Sequence, residues 1–402
     1  MHDIFGADRR HATCDSPDTD WQTWFTFANS TTIEAGDWMK TEILAARDLV
    51  HEIINLVCTD QTFTDIHVEQ DEPMTIKTPR GWIEVGSGPV TEEEMYPLLS
   101  AIDEDWKQRS RNGAIDRPFV LTQCRLRCNV YRASAGRKLV VSIRRLPLDP
   151  MPLDKTGLPT YVKTLLESTK GIIFVTGPTG SGKTTTIASM LEHINSTRSS
   201  HIITIEEPIE YQFQRKQSII SQREVPTDTA GFHTGLREAM RQRPDVIMVG
   251  EIRDFDTADT ALQAGESGHL VLASMHTNSA VGAVAKLLSF FPREQREQRA
   301  VALSNALIGV ICQSLIPADA GDAFVLASEL LFNNQHQVAA FIADPEKLPL
   351  LGDFMKRHED NLSRTLNADL AQLVAKKRVN AKDALRAAYN RAELHELIAS
   401  RR

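Results

Sequence analysis

The sequence predicts an α/β protein in which a parallel sheet flanked by helices follows a smaller α+β domain and precedes a helical subdomain. In the second half, four short apolar runs alternate with helical segments, which is the pattern of a parallel sheet. A glycine-rich stretch at 177–184 matches G-x-x-x-x-G-K-[ST] between a strand pattern and a helix pattern. A proline-dense stretch at 146–159 separates the two halves. The four apolar runs are residues 172–176, 201–206, 245–249 and 270–275.

Domain boundaries are predicted where composition and periodicity change. The linker has four prolines within thirteen residues, a density that blocks helix formation and strand pairing. The N-terminal extension is polar with scattered aromatic residues, which fits either a segment docked on a neighbour or a partly ordered tail. The predicted regions are the extension at 1–40, the small α+β domain at 41–145, the linker at 146–159, the parallel-sheet domain at 160–335 and the helical C-terminal subdomain at 336–402.

The small domain has the periodicity of helices combined with short strands. An amphipathic pattern predicts a helix over 41–56, and Thr91 followed by three glutamates predicts the N-cap of a second helix. Residues 134–136 predict the turn of a hairpin. The predicted strands are residues 64–69, 74–79, 82–85, 124–131 and 138–144.

The last part of the chain combines one strand pattern with helical ones. Residues 324–332 predict a strand, and the charged pattern after it predicts helices. Residues 301–316 are apolar but interrupted by polar residues, and they are shorter than the about 20 residues that a bilayer requires. We therefore expect a buried or interface helix there. Because the N-terminus has no signal-peptide pattern, we expect a cytoplasmic protein that reaches any membrane through partners.

Composition and charge argue against several classes of protein. The 402 residues carry a formal net charge of −8 and are 42% hydrophobic, which is typical of a globular protein and unlike one that coats nucleic acid. The five cysteines are scattered and include no Cys-x-x-Cys pair. Neither a zinc ribbon nor a disulfide framework is therefore predicted.

The glycine-rich stretch predicts a phosphate-binding loop. Its glycines let backbone N–H groups turn inward, and the N-terminus of the following helix adds partial positive charge. We expect Lys183 to reach the β- and γ-phosphates of a nucleoside triphosphate, and the Thr184 hydroxyl to bind Mg²⁺. The predicted nucleotide-binding residues are Gly177, Pro178, Thr179, Gly180, Ser181, Gly182, Lys183, Thr184 and Thr185.

Carboxylates follow two predicted strands at the edge where parallel sheets bind ligands. Glu206 and Glu207 end one strand, and Glu251 follows another after Gly250. Hydrolysis of a bound triphosphate needs a carboxylate to position water and metal. Glu251 is the candidate for activating water, with an indirect hold on Mg²⁺. A solvated cap on the strand end is the alternative for any one of these glutamates.

Two histidines flank the predicted strand at 270–275. A shared metal fits poorly, because His269 and His276 lie at opposite ends of the strand, roughly 20 Å apart at about 3.3 Å per residue. We expect each histidine to hydrogen-bond near the γ-phosphate or to the carboxylates, as a sensor. A structurally satisfied histidine is the alternative for either one.

Four motifs in order resemble those of the secretion-superfamily ATPases of the PilT/GspE type. They are the loop at 177–184, TIEEPIEY at 204–211, VGEIRD at 249–254 and GHLVLASMHTNSA at 268–280, which resemble the Walker A, Asp box, Walker B and His box. In appearance the chain is most similar to the DotB/TraJ-like ATPases of type IVB secretion and conjugation. The resemblance covers about residues 41–335. It implies a RecA-like P-loop NTPase domain preceded by a PAS-like domain.

The resemblance also implies roles for individual residues. Glu251 is implied to be the catalytic carboxylate, with Glu206 or Glu207 assisting at the metal or the water. His269 and His276 are implied to be the His-box residues.

Arginines of the N-terminal domain reach the nucleotide in these ATPases. Arg127 and Arg144 match them best, and Arg132, Arg137 and Arg145 remain alternatives. Surface arginines on a hairpin are the competing interpretation. The further candidates, for a subunit interface, are Arg237, Arg241, Arg243 and Arg253.

The chain also departs from its relatives in this superfamily. It has no tetracysteine zinc insert of the pilus-extension and type II secretion kind, and residues 335–402 contain no AIRNLIRE-like stretch of the retraction kind. The segment 348–388 is more similar to the DotB/TraJ kind. The resemblance therefore implies a homo-hexameric ATPase that uses ATP and Mg²⁺ to drive a type IVB secretion or conjugation machine, together with inner-membrane components. A PilT-like pilus retraction motor is the alternative.

Two functions outside this family are also compatible with a phosphate-binding loop. A nucleic-acid translocase would share the core, but the acidic balance argues against direct nucleic-acid binding. A non-hydrolysing nucleotide switch would require a missing catalytic group, and the sequence lacks none. For the ATPase, we expect hydrolysis to change the angle between the two domains across the linker at 146–159.

Overall fold

The computed structural model describes residues 47–59, 61–121, 124–321 and 323–400 of the chain. Two sheets organise these residues, one antiparallel and one almost entirely parallel. The predicted extension at 1–40 and the first part of the predicted helix at 41–56 lie outside the described residues.

The strands are numbered in chain order and listed with their bounds. They are β1 Asp65–Glu69, β2 Pro73–Thr78, β3 Gly81–Pro89, β4 Ile115–Val120, β5 Cys124–Ala133, β6 Lys138–Pro147, β7 Gly171–Thr176, β8 His201–Glu206, β9 Ile219–Glu224, β10 Val246–Val249, β11 Leu270–Met275, β12 Leu307–Pro317 and β13 Phe324–Phe332.

The helices are numbered in the same way. They are α1 Leu49–Val57, α2 Glu92–Ile102, α3 Trp106–Asn112, α4 Lys183–Thr197, α5 Phe232–Ala239, α6 Phe255–Glu266, α7 Ala280–Ser289, α8 Arg296–Ala306, α9 His336–Ala343, α10 Leu348–Arg357, α11 Leu366–Ala375, α12 Ala381–Ala387 and α13 Arg391–Ser400.

The first sheet is antiparallel, in the order β3-β2-β1-β6-β5-β4, and packs α1 to α3 on one face. Residues alternate between buried and half-buried along most of β5, so one face forms the core and the other carries polar side chains. The predicted N-cap at Thr91 is confirmed. Its side chain accepts from Glu94 N, and the Glu94 side chain accepts from Thr91 N, which completes a capping box.

The second sheet has the order β13-β12-β7-β11-β10-β8-β9, with only β13 antiparallel to its neighbour. All six residues of β7 are buried. Ile172 and Phe174 belong to the core on one face, whereas Ile173 and Val175 belong to the core on the other. A strand covered on both faces has a continuous apolar sequence, as the sequence predicted. The α/β fold class is therefore confirmed.

The C-terminal helices α11 to α13 pack against the end of the parallel sheet. Their apolar residues share one core with Ile316 of β12 and with Val325 and Ala327 of β13. The predicted helical character of the region after β13 is confirmed for the residues that the structure describes.

One predicted element is wrong. The apolar run at 301–316 is not one helix, because α8 ends at Ala306 and the chain continues as β12 between β7 and β13. The short apolar run of a strand buried on both faces has no period that separates it from a buried helix. The structure also contains β9, which the sequence did not predict. It is a partly exposed edge strand whose pattern is weak.

Two further expectations need correction. The helix predicted over 41–56 begins within the described residues only at Leu49, because Asp48 caps it by accepting from His51 N. In the linker, β6 continues to Pro147, which pairs with Cys124, so proline does not prevent strand pairing there. Farther along, Leu153 and Leu158 are buried in the core of the parallel-sheet domain. Much of the linker is thus packed structure.

Candidate active site

The glycine-rich loop leaves the carboxyl end of β7 and enters α4. Gly177, Gly180 and Gly182 have φ values of +144°, +77° and +85°, a region that residues with a Cβ rarely adopt. At Gly177 a Cβ would also overlap the carbonyl oxygen of Gln313 and lie 2.5 Å from Ser181 Oγ. The glycine pattern is therefore required by the backbone path as well as by close approach of a ligand.

The groups in this loop fit the phosphates of a nucleotide. The N-cap of α4 is Gly182, and no side chain caps the helix, so the first-turn N–H groups remain available for an anion. The Ser181 hydroxyl is buried and has no hydrogen-bond partner among the described residues. Thr184 is the second residue of α4 and is half-buried. Donors without partners at a helix N-terminus are the chemistry that a phosphate group requires.

Lys183 lies inside the loop and not on the surface. Its Nζ donates to the carbonyl oxygens of Gly177 and Pro178, at 3.0 Å each, and the residue is only 9% exposed. Burial lowers the pKa of this ammonium, and the charges of Glu251 and Glu210 act in the opposite direction. The lysine is thus poised where a phosphate would take the place of the two carbonyls.

Gln313 is a residue at this loop that the sequence analysis missed. It lies on β12 directly after Cys312, which pairs with Thr176 at the end of β7, and it is 1% exposed. Its Nε2 donates to Ser181 O at 2.8 Å and holds the loop from the neighbouring strand. The only sequence signal for Gln313 is a polar residue inside the apolar run at 301–316, which the sequence predicts to be a helix.

Glu251 is held in place by the strands on both sides of β10. Gly250 N donates to Ile205 O of β8, at 2.8 Å, and Gly250 O accepts from Ser274 Oγ of β11. Ile252 N donates to Ser274 O at 3.0 Å. Because the residues before and after Glu251 are hydrogen-bonded to two neighbouring strands, the backbone that carries this carboxylate is held in place at the carboxyl edge of the sheet.

The Glu251 carboxylate has two basic neighbours. Arg253 Nη2 lies 2.8 Å from one oxygen, and His276 Nε2 lies 3.5 Å from the other. Arg253 also reaches Glu207, at 3.2 Å, and stacks on the Phe232 ring. Within the chain, the Arg253 guanidinium therefore bridges two carboxylates, and its place at a subunit interface stays a prediction.

The two glutamates at the end of β8 differ in their environment. Glu206 is 6% exposed, and its Oε1 accepts from Thr204 Oγ1 and from Gln222 Nε2, so it ties β8 to β9. Burial raises the pKa of Glu206. Glu207 is more exposed and shares Arg253 with Glu251. Of the two predicted assistants, Glu207 is the one that reaches the Glu251 cluster.

The loop after β8 is attached to α4. Tyr211 Oη lies 2.9 Å from Thr185 Oγ1 in the first turn of the helix, and Tyr211 is 3% exposed. Burial raises the pKa of this phenol, which therefore stays neutral. Tyr211 ends the motif at 204–211, and its contact ties that motif to the first turn of α4.

His276 and His269 lie at opposite edges of the sheet. His276 follows β11 and faces Glu251. His269 precedes β11, its Nδ1 contacts Ala264 O at 3.2 Å, and its carbonyl accepts from Gly171 N at the start of β7. The expected role of His269 near the γ-phosphate or the carboxylates is therefore wrong within one chain. A motif that spans one strand necessarily places its two ends on opposite edges.

The arginines of the antiparallel sheet likewise differ in whether they lie near the site. Arg127 forms a bidentate pair with Asp116, and its pKa is raised mainly by that bond, with further contributions from the Glu210 and Glu207 charges. Arg125, which the sequence analysis missed, donates to Ile209 O at 2.8 Å and so joins the two domains. The two arginines are two residues apart on one strand and share its face, which is a signal that the sequence contained.

Arg144 lies opposite Arg127 on the same sheet face, but its partner is Asp65 at 2.9 Å. Its expected place at the nucleotide is therefore not reproduced within one chain. The three alternatives also lie elsewhere: Arg132 bonds Ser110 and Gly136, Arg137 bonds Ser134, and Arg145 stacks on Phe63. The remaining interface candidates, Arg237, Arg241 and Arg243, are exposed on α5 and the turn after it.

Metal ligands are sparse at this site. Among the described residues, no group of three or more histidine, cysteine, aspartate or glutamate side chains is arranged to hold a metal ion. Thr184 and Glu251 are the side chains present that suit Mg²⁺, which takes few protein ligands together with phosphate oxygens and water. The donor set fits a cation that is brought by a nucleotide.

Comparison with known proteins places this site in a family. Residues 122–344 match the type II/IV secretion system protein family. The type IV pilus retraction ATPase PilT of Pseudomonas aeruginosa is 34% identical over 274 residues, 67% of this chain and 79% of PilT. A crystal structure of the pilus retraction motor PilT with bound ADP is 38% identical, covers 86% of this chain and 98% of its own, and has a TM-score of 0.73.

A second solved structure has the same fold at lower identity. The Legionella pneumophila ATPase DotB is 24% identical, with a TM-score of 0.73, and the match covers 80% of this chain and 90% of DotB. The resemblance to the PilT/GspE type, predicted from sequence, is confirmed, and the likeness to DotB is one of fold. No helix among the residues that the structure describes is long and apolar enough to cross a bilayer.

Proposed function

The chain belongs to the type II/IV secretion system protein family and is an ATPase of the PilT/GspE kind, and we propose that it works as a homo-hexameric ring that drives a type IV secretion or conjugative transfer machine. The observation that carries the enzymatic part is the convergence of Lys183, Glu251 and His276 at one edge of the parallel sheet. The loop after β7 and the residues that follow β8, β10 and β11 contribute to this edge.

In the proposed reaction, water attacks the γ-phosphorus of ATP, and the bond to the β,γ-bridging oxygen breaks to release ADP and phosphate. Glu251 accepts a hydrogen bond from the water and takes its proton. Lys183 and the first-turn N–H groups of α4 neutralise charge on the phosphates. His276, beside Glu251, hydrogen-bonds the γ-phosphate or holds the carboxylate in position.

Mg²⁺ is the proposed cofactor. When bound, it neutralises charge on the β- and γ-phosphates and helps to orient them. The Thr184 hydroxyl is the proposed protein ligand, and Glu251 is proposed to act on the ion indirectly through water.

The antiparallel domain is proposed to sense the nucleotide through its arginines. Arg125 contacts the loop after β8, and the charges of Glu207 and Glu210 act on the Arg127 guanidinium. A change of charge at the γ-phosphate would alter the position of Arg127, and hence the angle between the domains. Because Leu153 and Leu158 are packed, we propose that the hinge lies between Pro147 and Leu153.

The partners are proposed from the family. We propose contact with inner-membrane components of the machine from the cytoplasmic side, and no direct contact with nucleic acid. A pilus retraction motor is the second candidate, and the higher identity to PilT than to DotB favours it. The helices after β13, whose sequence lacks the retraction-type stretch, favour the first.

Nucleotide binding and hydrolysis can be tested on the purified protein. Lys183→Ala should lose binding of a fluorescent ATP analogue, whereas Glu251→Gln should bind it as wild type does and release little phosphate. Wild-type turnover in Glu251→Gln would refute the assignment of the catalytic carboxylate.

The machine can be identified by deleting the gene in its host. Conjugation, effector export and twitching are scored side by side, with wild type and Glu251→Gln as complementing variants. Loss of conjugation or export supports the first candidate, and loss of twitching alone supports the second. Restoration of the lost phenotype by Glu251→Gln would contradict a role for hydrolysis.

A further inference from the structure

Glu329 is a buried carboxylate between two helix N-termini. It lies on β13 and is 5% exposed. Its Oε1 accepts from Ala280 N, the first residue of α7, at 2.7 Å, and its Oε2 accepts from Leu366 N, the first residue of α11, at 3.2 Å. A carboxylate at a helix N-terminus is favoured by the helix dipole, and here one side chain satisfies two helices.

The first of these helices begins just after the catalytic histidine. His276 is followed by three residues and then by α7, with Ser279 as its N-cap. Residues 276–279 therefore run from the Glu251 contact to the Glu329 contact with little free length. A displacement of the first turn of α7 must move this segment, which we call the histidine loop.

The second helix belongs to the C-terminal helices α11 to α13. A second contact joins these helices to the same loop: Cys312 Sγ lies 3.6 Å from Thr277 O and 3.6 Å from Tyr389 Oη, between α12 and α13. Cys312 pairs with Thr176, directly before the phosphate-binding loop. The C-terminal helices are thus linked to the histidine loop near both of its ends, through Glu329 and through Cys312.

We propose that Glu329 is a positioning residue for hydrolysis, which sets the place of His276 relative to Glu251 according to where the C-terminal helices lie. The inference rests on the proposed roles of His276 and Glu251. It gives the C-terminal helices a function, because a force applied to them reaches the catalytic edge through one carboxylate and one thiol. Burial raises the pKa of Glu329, so the site retains a carboxyl group that the fold makes costly to ionise.

The test compares Glu329→Gln with Asp369→Asn. Asp369 is equally buried at the same interface, where it accepts from Ser328 N and pairs with Arg364, but it makes no contact with the histidine loop. In Glu329→Gln an amide NH₂ must face one of the two N–H donors, so one hydrogen bond is lost. We expect kcat for ATP to fall about tenfold, because small misplacements of catalytic groups are costly, with KM changed by less than about twofold.

Asp369→Asn should lower the melting temperature to a similar extent and leave kcat within about twofold of wild type. Both variants are assayed as the full chain, below their melting temperatures. Wild-type kcat in Glu329→Gln, or an equal fall in both variants, would overturn the proposal. If Glu329→Gln does not fold, Tyr389→Phe decides instead: a fall in kcat at constant KM supports the proposal, and an unchanged kcat overturns it.

Wild type and Glu251→Gln are run in the same assay. If wild type shows no turnover, or Glu251→Gln retains it, the proposed catalytic roles fail and this inference fails with them. If both behave as expected and Glu329→Gln does not, only the positioning role is rejected.

Discussion

The two edges of the parallel sheet carry similar residue types but have different tasks. At the carboxyl edge, His276 contacts Glu251, and the Glu251 charge also acts on Lys183. At the amino edge, His269 contacts Ala264, and Asp245 accepts from His201 N at 2.7 Å. The polar groups of the first edge converge on a space for a ligand, whereas those of the second close the ends of strands.

The position of a residue in the fold therefore decides its role more than its type does. In parallel strands all carboxyl ends meet at one edge, where loops of different length leave a concave site and a helix N-terminus faces it. At each of the strands β7, β10 and β11, two residues of similar type lie at or just beyond the two opposite ends. Substitutions at the two ends of one strand therefore test the comparison directly.

The largest difference is expected on β10. Glu251→Gln should lower kcat by about 10²- to 10⁴-fold, because the amide cannot take a proton from water. Asp245→Asn keeps a side-chain oxygen that can accept from His201 N and should leave kcat within about twofold of wild type. Steady-state phosphate release measures both. Comparable losses of activity in the two variants would contradict the assignment of roles by edge.

The next difference is expected on β11. His276→Ala removes the contact with Glu251 and should lower kcat on the order of tenfold to 100-fold. His269→Ala removes the contacts of Nδ1 with Ala264 O and Ser267 Oγ and should cost about 1 kcal/mol of stability without changing kcat. The checks are phosphate release and urea denaturation. A kcat defect in His269→Ala that appears only in the assembled ring would point to a role across subunits.

On β7, substitutions at the two ends distinguish an effect on stability from an effect on nucleotide binding. Gly171 and Gly177, before and after the strand's apolar run, both have positive φ, and a Cβ at either would meet backbone oxygen, at Ala306 and Gln313 respectively. Each change to alanine should cost on the order of 1–3 kcal/mol. Only Gly177→Ala should also weaken nucleotide binding, as measured by titration with a fluorescent ATP analogue. Equal affinities in the two variants would argue against a specific role of the loop geometry.

The smallest effect is expected on β5 of the other sheet. Arg125→Ala removes the hydrogen bond to Ile209 O that joins the domains and should cost about 1 kcal/mol, with a few-fold lower kcat. Arg132→Ala, near the other end of the strand, removes bonds within its own domain and is the control. Small-angle X-ray scattering should show a larger radius of gyration for Arg125→Ala alone. If the two variants have the same radius of gyration and the same kcat, the contact between the domains is dispensable.

Much of the site could be predicted because each of its parts follows directly after a strand. The phosphate-binding loop, Glu251 and His276 each follow a strand whose apolar run is continuous, and such strands are conspicuous. Gln313 and Arg125 were not predicted. One lies in a strand that was assigned to a helix, and the other acts through a contact with a residue 84 positions away.

Some expectations failed for a physical reason that periodicity does not express. The pattern around β11 contains two histidines, but a strand of six residues separates them by roughly 20 Å at about 3.3 Å per residue. The run at 301–316 is apolar because β12 lies inside the sheet, between β7 and β13, and is covered on both faces: Val310, Ile311 and Ile316 belong to three separate cores. Neighbours of this kind are distant in the chain.

The sequence by itself determined the α/β class, the positions along the chain of the strands that carry the site and the identity of the phosphate-binding loop. These follow from local chemistry: apolar runs, glycines and a helix start. Only the tertiary structure decided that Arg253 joins Glu251 to Glu207. It also decided that Glu329 holds two helices at once. Each of these depends on side chains from separate elements meeting in space, and sequence spacing does not encode that meeting.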